Sequence, residues 1–179
     1  MGTKVNQKCW CGSRRAFSSC CEPYLTGDAI APTAEALMRS RYSAFCTKSV
    51  DYLLATHHPS WRKSTASNNT DERILLSRSV NTTQWINLLI IKKQGGQKKD
   101  KTGRVEFVAA YRPKSALPVD MTVQPPDGIT QLHENSRFVR EQGRWFYVDG
   151  DILPPYQPKR SQPCWCGSGK PYKHCHFST

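Results

Sequence analysis

The spacing of apolar residues changes character near residue 80. Before it, the repeat is helical. Leu37, Met38, Tyr42, Phe45 and Cys46 recur at intervals of three and four and predict an amphipathic helix. Thr33 is placed to cap that helix, and Glu35 falls in its first turn, where a carboxylate suits the helix dipole. Val50, Leu53 and Leu54 mark a second, short helix that Ser49 would cap, with Asp51 in its first turn. His57-His58-Pro59 ends it, because proline disfavours helix in the residue before it. Asp71 and Glu72 open a further short helix through Leu76.

Beyond that point the repeat becomes strand-like. Trp85 to Ile91 is a nearly continuous apolar run and predicts a buried central strand. From Gly103 to Arg112 the chain alternates, with Val105, Phe107, Ala109 and Tyr111 on one face and Glu106, Val108, Ala110 and Arg112 on the other. Leu132–Arg140 and Arg144–Asp149 predict a strand pair turning at Glu141-Gln142-Gly143. Residues 113–131 carry Pro113, Pro118, Pro125 and Pro126 and predict a loop, with room for a short edge strand. Helices first and antiparallel strands after give an α+β class.

A length of 179 residues supports one sizeable core with small appendages. A hydrophobic share of 37% with five tryptophans fits a folded chain. No apolar run is long enough to span a bilayer, and Met1 to Lys8 lacks the apolar stretch of a signal peptide. The expectation is a cytoplasmic, reduced protein, where clustered cysteines bind metal or do redox chemistry more often than they form staples.

Seven of the eight cysteines fall in one pattern written twice. The first copy is Cys9-Trp10-Cys11-Gly12-Ser13 followed, six residues on, by Cys20-Cys21. The second is Cys164-Trp165-Cys166-Gly167-Ser168 followed by Cys175-His176. Four soft ligands at matched spacing predict a tetrahedral metal site in each copy. Histidine replaces cysteine at the last position of the second copy. That exchange is tolerated by zinc and impossible for a disulfide, and an odd number of cysteines cannot all pair. Two zinc ions are therefore expected, with iron admitted by the same tetrahedral sulfur geometry. Glu22 and His174 flank the ligand sets, and His174 competes with His176 for the last place. With four ligands filling each site, a closed, structural role is favoured. Cys46 stands apart in the helical stripe and reads as a small buried hydrophobe.

The formal charge is +12 with thiols neutral, and metal-bound thiolates lower it to about +9. That balance suits an anionic partner such as RNA, the ribosome, an acidic protein or a membrane surface. A solvated basic surface accounts for it equally well. Two features localise charge. Trp10, Phe17, Trp165 and Tyr172 stand beside Arg14, Arg15, Lys170 and Lys173, a composition that suits RNA or an acidic groove; the aromatics serve equally as the knuckles' own small cores. Lys92 to Lys101 carries five lysines on an expected hairpin tip.

Both terminal copies resemble the SEC-C motif, named for the C-terminus of the SecA translocation ATPase, whose pattern is roughly C-P-C-G-S-G-K-x-(Y/F)-K-x-C-(C/H). The second copy departs only at Trp165. The first departs at Trp10, at Arg14-Arg15 in place of Gly-Lys, and at Ser18. The stretches from Ala36 to Phe45, from His133 to Phe138 and from Trp145 to Gly150 resemble the YchJ family, which has a SEC-C motif at each end. That resemblance spans nearly the full chain. It implies a central domain similar to nuclear transport factor 2, a cone of curved antiparallel sheet wrapped by helices, over residues 30–155, between knuckles at 1–26 and 160–179. It implies candidate partners as well: a SecB-like chaperone, ribosomes and anionic lipid, with pairing of two copies through the sheet. On this basis the chain reads as a metal-binding adaptor in protein export or translation. The alternative is an enzyme or small-ligand-binding protein that uses the cone, with the knuckles as caps. Asp51, His57, His58, Glu106, His133, Glu134 and Asp149 are its acid–base candidates, and the sequence pairs none of them; the catalytic residues are unknown at this level. His133 and Glu134 are adjacent in a strand and so face opposite ways.

Overall fold

The computed structural model describes residues 7–60, 69–114 and 127–177. Among the described residues, four α-helices precede four strands: α1 Glu22–Thr26, α2 Ala34–Thr47, α3 Val50–Ala55, α4 Asn69–Thr82, then β1 Thr83–Gly95, β2 Thr102–Pro113, β3 Thr130–Glu141 and β4 Arg144–Ile152. The strands form one antiparallel sheet in the order β1-β2-β3-β4. Register shifts in β1 and between Arg137 and Phe138 mark bulges, which bend the sheet around the helices.

The Thr33 hydroxyl accepts from the Ala36 amide at 3.1 Å, so α2 is capped as its sequence predicts. Ser49 stands at the start of α3 without capping it; its hydroxyl bonds Thr47 at 2.9 Å instead. The helix opened near Asp71, α4, runs to Thr82, well past Leu76. Gln142 and Gly143, both with positive φ, form the two-residue β3–β4 turn, a conformation matched to strand twist. Of the proline-rich stretch, residues 115–126 lie outside the described residues.

The main core lies between α2 and the concave face of the sheet. Leu37, Met38 and Tyr42 meet Leu88, Val105, Phe107, Ala109, Phe138 and Trp145. The predicted alternation in β2 holds, with Val105, Phe107 and Ala109 in this core and Val108 and Ala110 in a second one. The expectation for β1 needs correcting. It is an edge strand, and from Leu88 to Ile91 its run is apolar because residues on both of its faces are packed. Trp85, Leu88 and Ile90 pack towards α2, whereas Leu89 and Ile91 pack beneath the C-terminal knuckle. The lysine tip is also smaller than expected. Lys92 and Lys93 belong to β1, and Lys93 bonds Glu35 at 2.7 Å.

Residues 153–156 are fastened down along β3. The Leu153 amide donates to His133, and the Tyr156 amide and carbonyl both bond the Gln131 side chain.

Candidate metal centres and a central cavity

Each cysteine pattern folds into the same small unit. In the first, the Cys9 amide donates to the Arg15 carbonyl (2.8 Å) and the Cys20 amide to that of Phe17 (3.0 Å). In the second, Cys164 donates to Lys170 (2.9 Å) and Cys175 to Tyr172 (3.0 Å). A single turn of 3-10 helix precedes the last ligand pair in both, at Phe17–Ser19 and Tyr172–His174. Gly12 and Gly167 take equivalent left-handed conformations, with φ of 75° and 83°. The Arg14-Arg15 departure leaves this loop unchanged. Arg14 adopts φ 63° where the other copy has Gly169 at 76°, so an exposed arginine occupies a glycine conformation.

The ligand atoms converge. Those of Cys9, Cys11, Cys20 and Cys21 lie within 4.8 Å of one another, as do those of Cys164, Cys166, Cys175 and His176. Neighbouring sulfurs stand 3.6 Å apart for Cys11 and Cys20, 3.9 Å for Cys20 and Cys21, and 3.5 Å for Cys166 and Cys175. A tetrahedral ion at about 2.3 Å from each sulfur sets neighbours about 3.8 Å apart, so the cages have the size such an ion needs. His176 presents Nδ1, 3.3 Å from Cys164 Sγ and 3.2 Å from Cys175 Sγ. His174 is exposed, and His176 takes the ligand place.

Electrostatics point the same way. In the buried first cage the Cys11 thiol is held well below its ordinary range by hydrogen bonds from Cys21 and Cys9, and Cys21 is driven up by the same contacts. Metal ligands of this kind bind as thiolates, and a bound cation would offset the charge they bring together. Donors surround the outer sulfurs. Ser13 and Ser168 stand 3.1 and 3.3 Å from Cys20 and Cys175, and Arg15 Nη2 donates to Cys20 at 3.4 Å. Asp127, just before β3, sets its carboxylate 3.3 Å from the far nitrogen of His176. No sequence signal marks Asp127, because the loop that carries it lies far from the motif.

Both units dock on the central domain and meet β1 at adjacent residues. The first packs on α2, where Arg39 Nη1 donates to the Cys11 carbonyl at 2.6 Å and Ser43 Oγ lies 3.6 Å from Cys9 Sγ. Its Gly12 approaches the Leu88 carbonyl so closely that a Cβ would lie at 3.0 Å. The second packs on the opposite face, where Asn87 Nδ2 donates to the Trp165 carbonyl at 2.9 Å. Its Gly167 leaves a Cβ only 2.8 Å from Asn87.

Docking decides what the aromatics do. Trp165 and Tyr172 are 4% and 7% exposed and pack on Val108 and Ala110. Trp10 is half-buried and meets Phe17 edge-on at 4.8 Å. Trp165 and Tyr172 are therefore core, and Trp10 and Phe17 are partly buried against it. Arg14, Arg15, Lys170 and Lys173 remain at the surface, with Arg15 turned to Cys20.

A cavity of about 430 Å³ lies between α2, α4 and the concave face of the sheet. Of the acid–base candidates, His57 and Glu134 reach it, joined by Arg41, Glu72, Ser136 and Tyr147, which the sequence did not single out as a group. His57 Nδ1 lies 3.0 Å from Glu72, and Tyr147 donates to Glu134 at 3.2 Å. Burial and the charge of Arg41 hold His57 below its ordinary pKa, opposed by Glu72 and the Val148 carbonyl. Burial pushes the Tyr147 phenol up. The other candidates lie elsewhere. Asp51 pairs with Arg73 at the surface, and His58 stands 3.2 Å from Glu141. His133 meets Glu106 at 3.1 Å on the outer face, and Asp149 pairs with Arg137. His133 and Glu134 do face opposite ways.

No helix among the described residues is long and apolar enough to cross a membrane.

Comparison with known proteins agrees with this architecture. Residues 33–150 match the family described as YchJ, middle NTF2-like domain, and residues 6–23 and 160–178 match the SEC-C motif. A UPF0225 protein of Sodalis glossinidius (strain morsitans) is 40% identical over 176 residues, covering 96% of this chain and 98% of its own. One of Pectobacterium carotovorum subsp. carotovorum (strain PC1) is 36% identical over 176 residues, covering 96% and 98%. The solution structure of a SEC-C motif containing protein from Rhodopseudomonas palustris superposes with a TM-score of 0.65 at 27% identity, covering 83% of this chain and 100% of that one. The crystal structure of another from Psychrobacter arcticus gives 0.61 at 26% identity, covering 95% of both.

Proposed function

The chain belongs to the YchJ family, and from that membership and the geometry of its two cages we propose that it is a zinc-binding adaptor that docks on a partner in protein export or translation. The reading is carried by one observation: after docking, the knuckle residues left at the surface include Arg14, Arg15, Lys170 and Lys173, all cationic. Zinc suits the mixed thiolate and imidazole set, and the closed cages give it a structural role. The partner is then anionic, either a ribosome or an acidic chaperone surface of the SecB kind.

The test is sedimentation with ribosomes across a salt series, comparing the zinc-loaded protein with a variant carrying Arg14→Glu, Lys170→Glu and Lys173→Glu. These side chains are exposed, so the variant should fold and keep its metal. Co-sedimentation that weakens with salt and is lost in the variant is expected. Equal binding by both forms would remove the knuckles as the docking surface. Absence of binding by the parent would leave the chaperone as the partner to assay. A second reading, a ligand pocket in the central domain with the knuckles as caps, is favoured by the ionisable groups that meet around Tyr147.

A further inference from the structure

Deep in the central cavity sits a cation with part of its hydrogen-bonding capacity unused. Arg41 is only 6% exposed. Its Nη1 donates to the Leu53 carbonyl at 2.8 Å and to Thr56 Oγ1 at 2.6 Å, which fixes the plane of the guanidinium. The Tyr147 ring lies against it, 4.8 Å from centroid to Cζ. Among the described residues, Nε and Nη2 have no hydrogen-bond partner, and no carboxylate stands within ion-pair distance of the group, while the charges of Glu134 and Glu72 act on it from farther off. Those two nitrogens form the edge of a guanidinium that takes a carboxylate in two parallel bonds.

Glu134 lines the same cavity. Ser136 and Tyr147 both donate to its Oε1, at 2.6 and 3.2 Å, and Oε2 takes no bond from the described residues. The side chain fits only because residue 150 is glycine, since a Cβ there would lie 2.1 Å from Oε1. The carboxylate is thus built into place with one oxygen free to accept. The rest of the lining is largely apolar and includes Phe45 and Trp85, whose rings meet at 5.7 Å. A cavity of this kind, apolar with a few convergent polar groups, is the usual form of a small-molecule site.

We propose that this cavity binds a small carboxylic acid with an apolar body and a hydroxyl or amino group beside the carboxylate. The carboxylate lies on the Nε–Nη2 edge of Arg41, the neighbouring donor bonds Glu134 Oε2, and the body packs on Phe45 and Trp85. This assignment rests on the pocket reading and is independent of the docking role of the knuckles.

Titration of the full, zinc-loaded chain by calorimetry and by NMR tests it, with 3-phenyllactate, 3-phenylpropionate and 2-phenylethanol as probes. The expected order is phenyllactate, then phenylpropionate, then phenylethanol. Arg41→Lys keeps the charge but not the planar edge, and should weaken phenyllactate about tenfold or more. Glu134→Gln should erase the preference for phenyllactate over phenylpropionate. Phenylethanol binding as tightly as the acids would overturn the carboxylate assignment and leave the pocket reading standing. No binding of any probe at millimolar concentration would overturn both. Should Arg41→Lys fail to fold, the probe order on the parent protein and the Glu134→Gln result decide.

Discussion

At the scale of single residues, His176 shows how the fold sets a carboxylate behind a candidate ligand. Two histidines stand near the end of the motif. His176 is the one whose Nδ1 meets the cysteines while its other nitrogen faces Asp127. Asp127 is itself fixed, accepting from the Ile129 amide at 3.0 Å through Oδ1 and from Arg112 at 3.0 Å through its carbonyl. A carboxylate behind a metal-bound imidazole orients the ring and raises its basicity. Asp127→Asn should therefore weaken metal binding at the C-terminal cluster by about tenfold to a hundredfold and leave the N-terminal cluster untouched. Competition with a chromophoric chelator reads both sites, and unchanged affinity would deny Asp127 a positioning role. The ligands themselves were legible in the sequence, because their spacing is local. Asp127 was not, because only the fold brings it to the motif.

Elements explain what the surface chemistry of the knuckles could not. Aromatic and basic residues alternate in both copies, and the sequence leaves open whether the rings face solvent or core. The edge position of β1 settles it. An edge strand with an apolar outer face needs a cover, and the C-terminal knuckle supplies one through Trp165 and Tyr172. Trp165→Ala should cost about 3–5 kcal/mol in chemical denaturation, the usual price of truncating a buried tryptophan. Metal content should match that of the parent protein, since the cysteine and histidine side chains of both clusters are kept. A variant of unchanged stability would mean that the ring is not core. The same edge position explains the misplaced strand: a run covered on both faces looks identical whether strands or a knuckle do the covering.

The whole molecule is a chain whose two ends are clasped onto one strand. Gly12 and Gly167 reach β1 at Leu88 and Asn87, on opposite faces. The two cages differ in shelter. All four N-terminal ligands are buried, whereas Cys175 is exposed at the C-terminal site. A chelator should accordingly withdraw metal from the loaded protein in two phases, the faster from Cys164, Cys166, Cys175 and His176. Cys166→Ser should remove that phase alone. A single phase for the parent protein would show that both sites open together. Loss of the first ion should free the C-terminal cover and expose Leu89, Ile91 and Val108, which a hydrophobic dye can follow.

The sequence by itself determined the two ligand sets, the helix-then-strand order, the cap of α2, the alternation of β2 and the β3–β4 turn. Each depends on neighbours a few residues apart, where spacing and backbone preference act directly. Only the tertiary structure decided that β1 is an edge, that Trp165 and Tyr172 are core, and that Asp127 stands behind His176. It also decided that Arg41, Glu134 and Tyr147 meet in one cavity. Those facts depend on contacts between residues far apart in the chain. Arg41 sits in an amphipathic helix and Glu134 in an alternating strand, and either pattern alone fits a solvated charge. What makes them a site is the curvature of the sheet around α2, together with a glycine at position 150 that leaves the carboxylate its place.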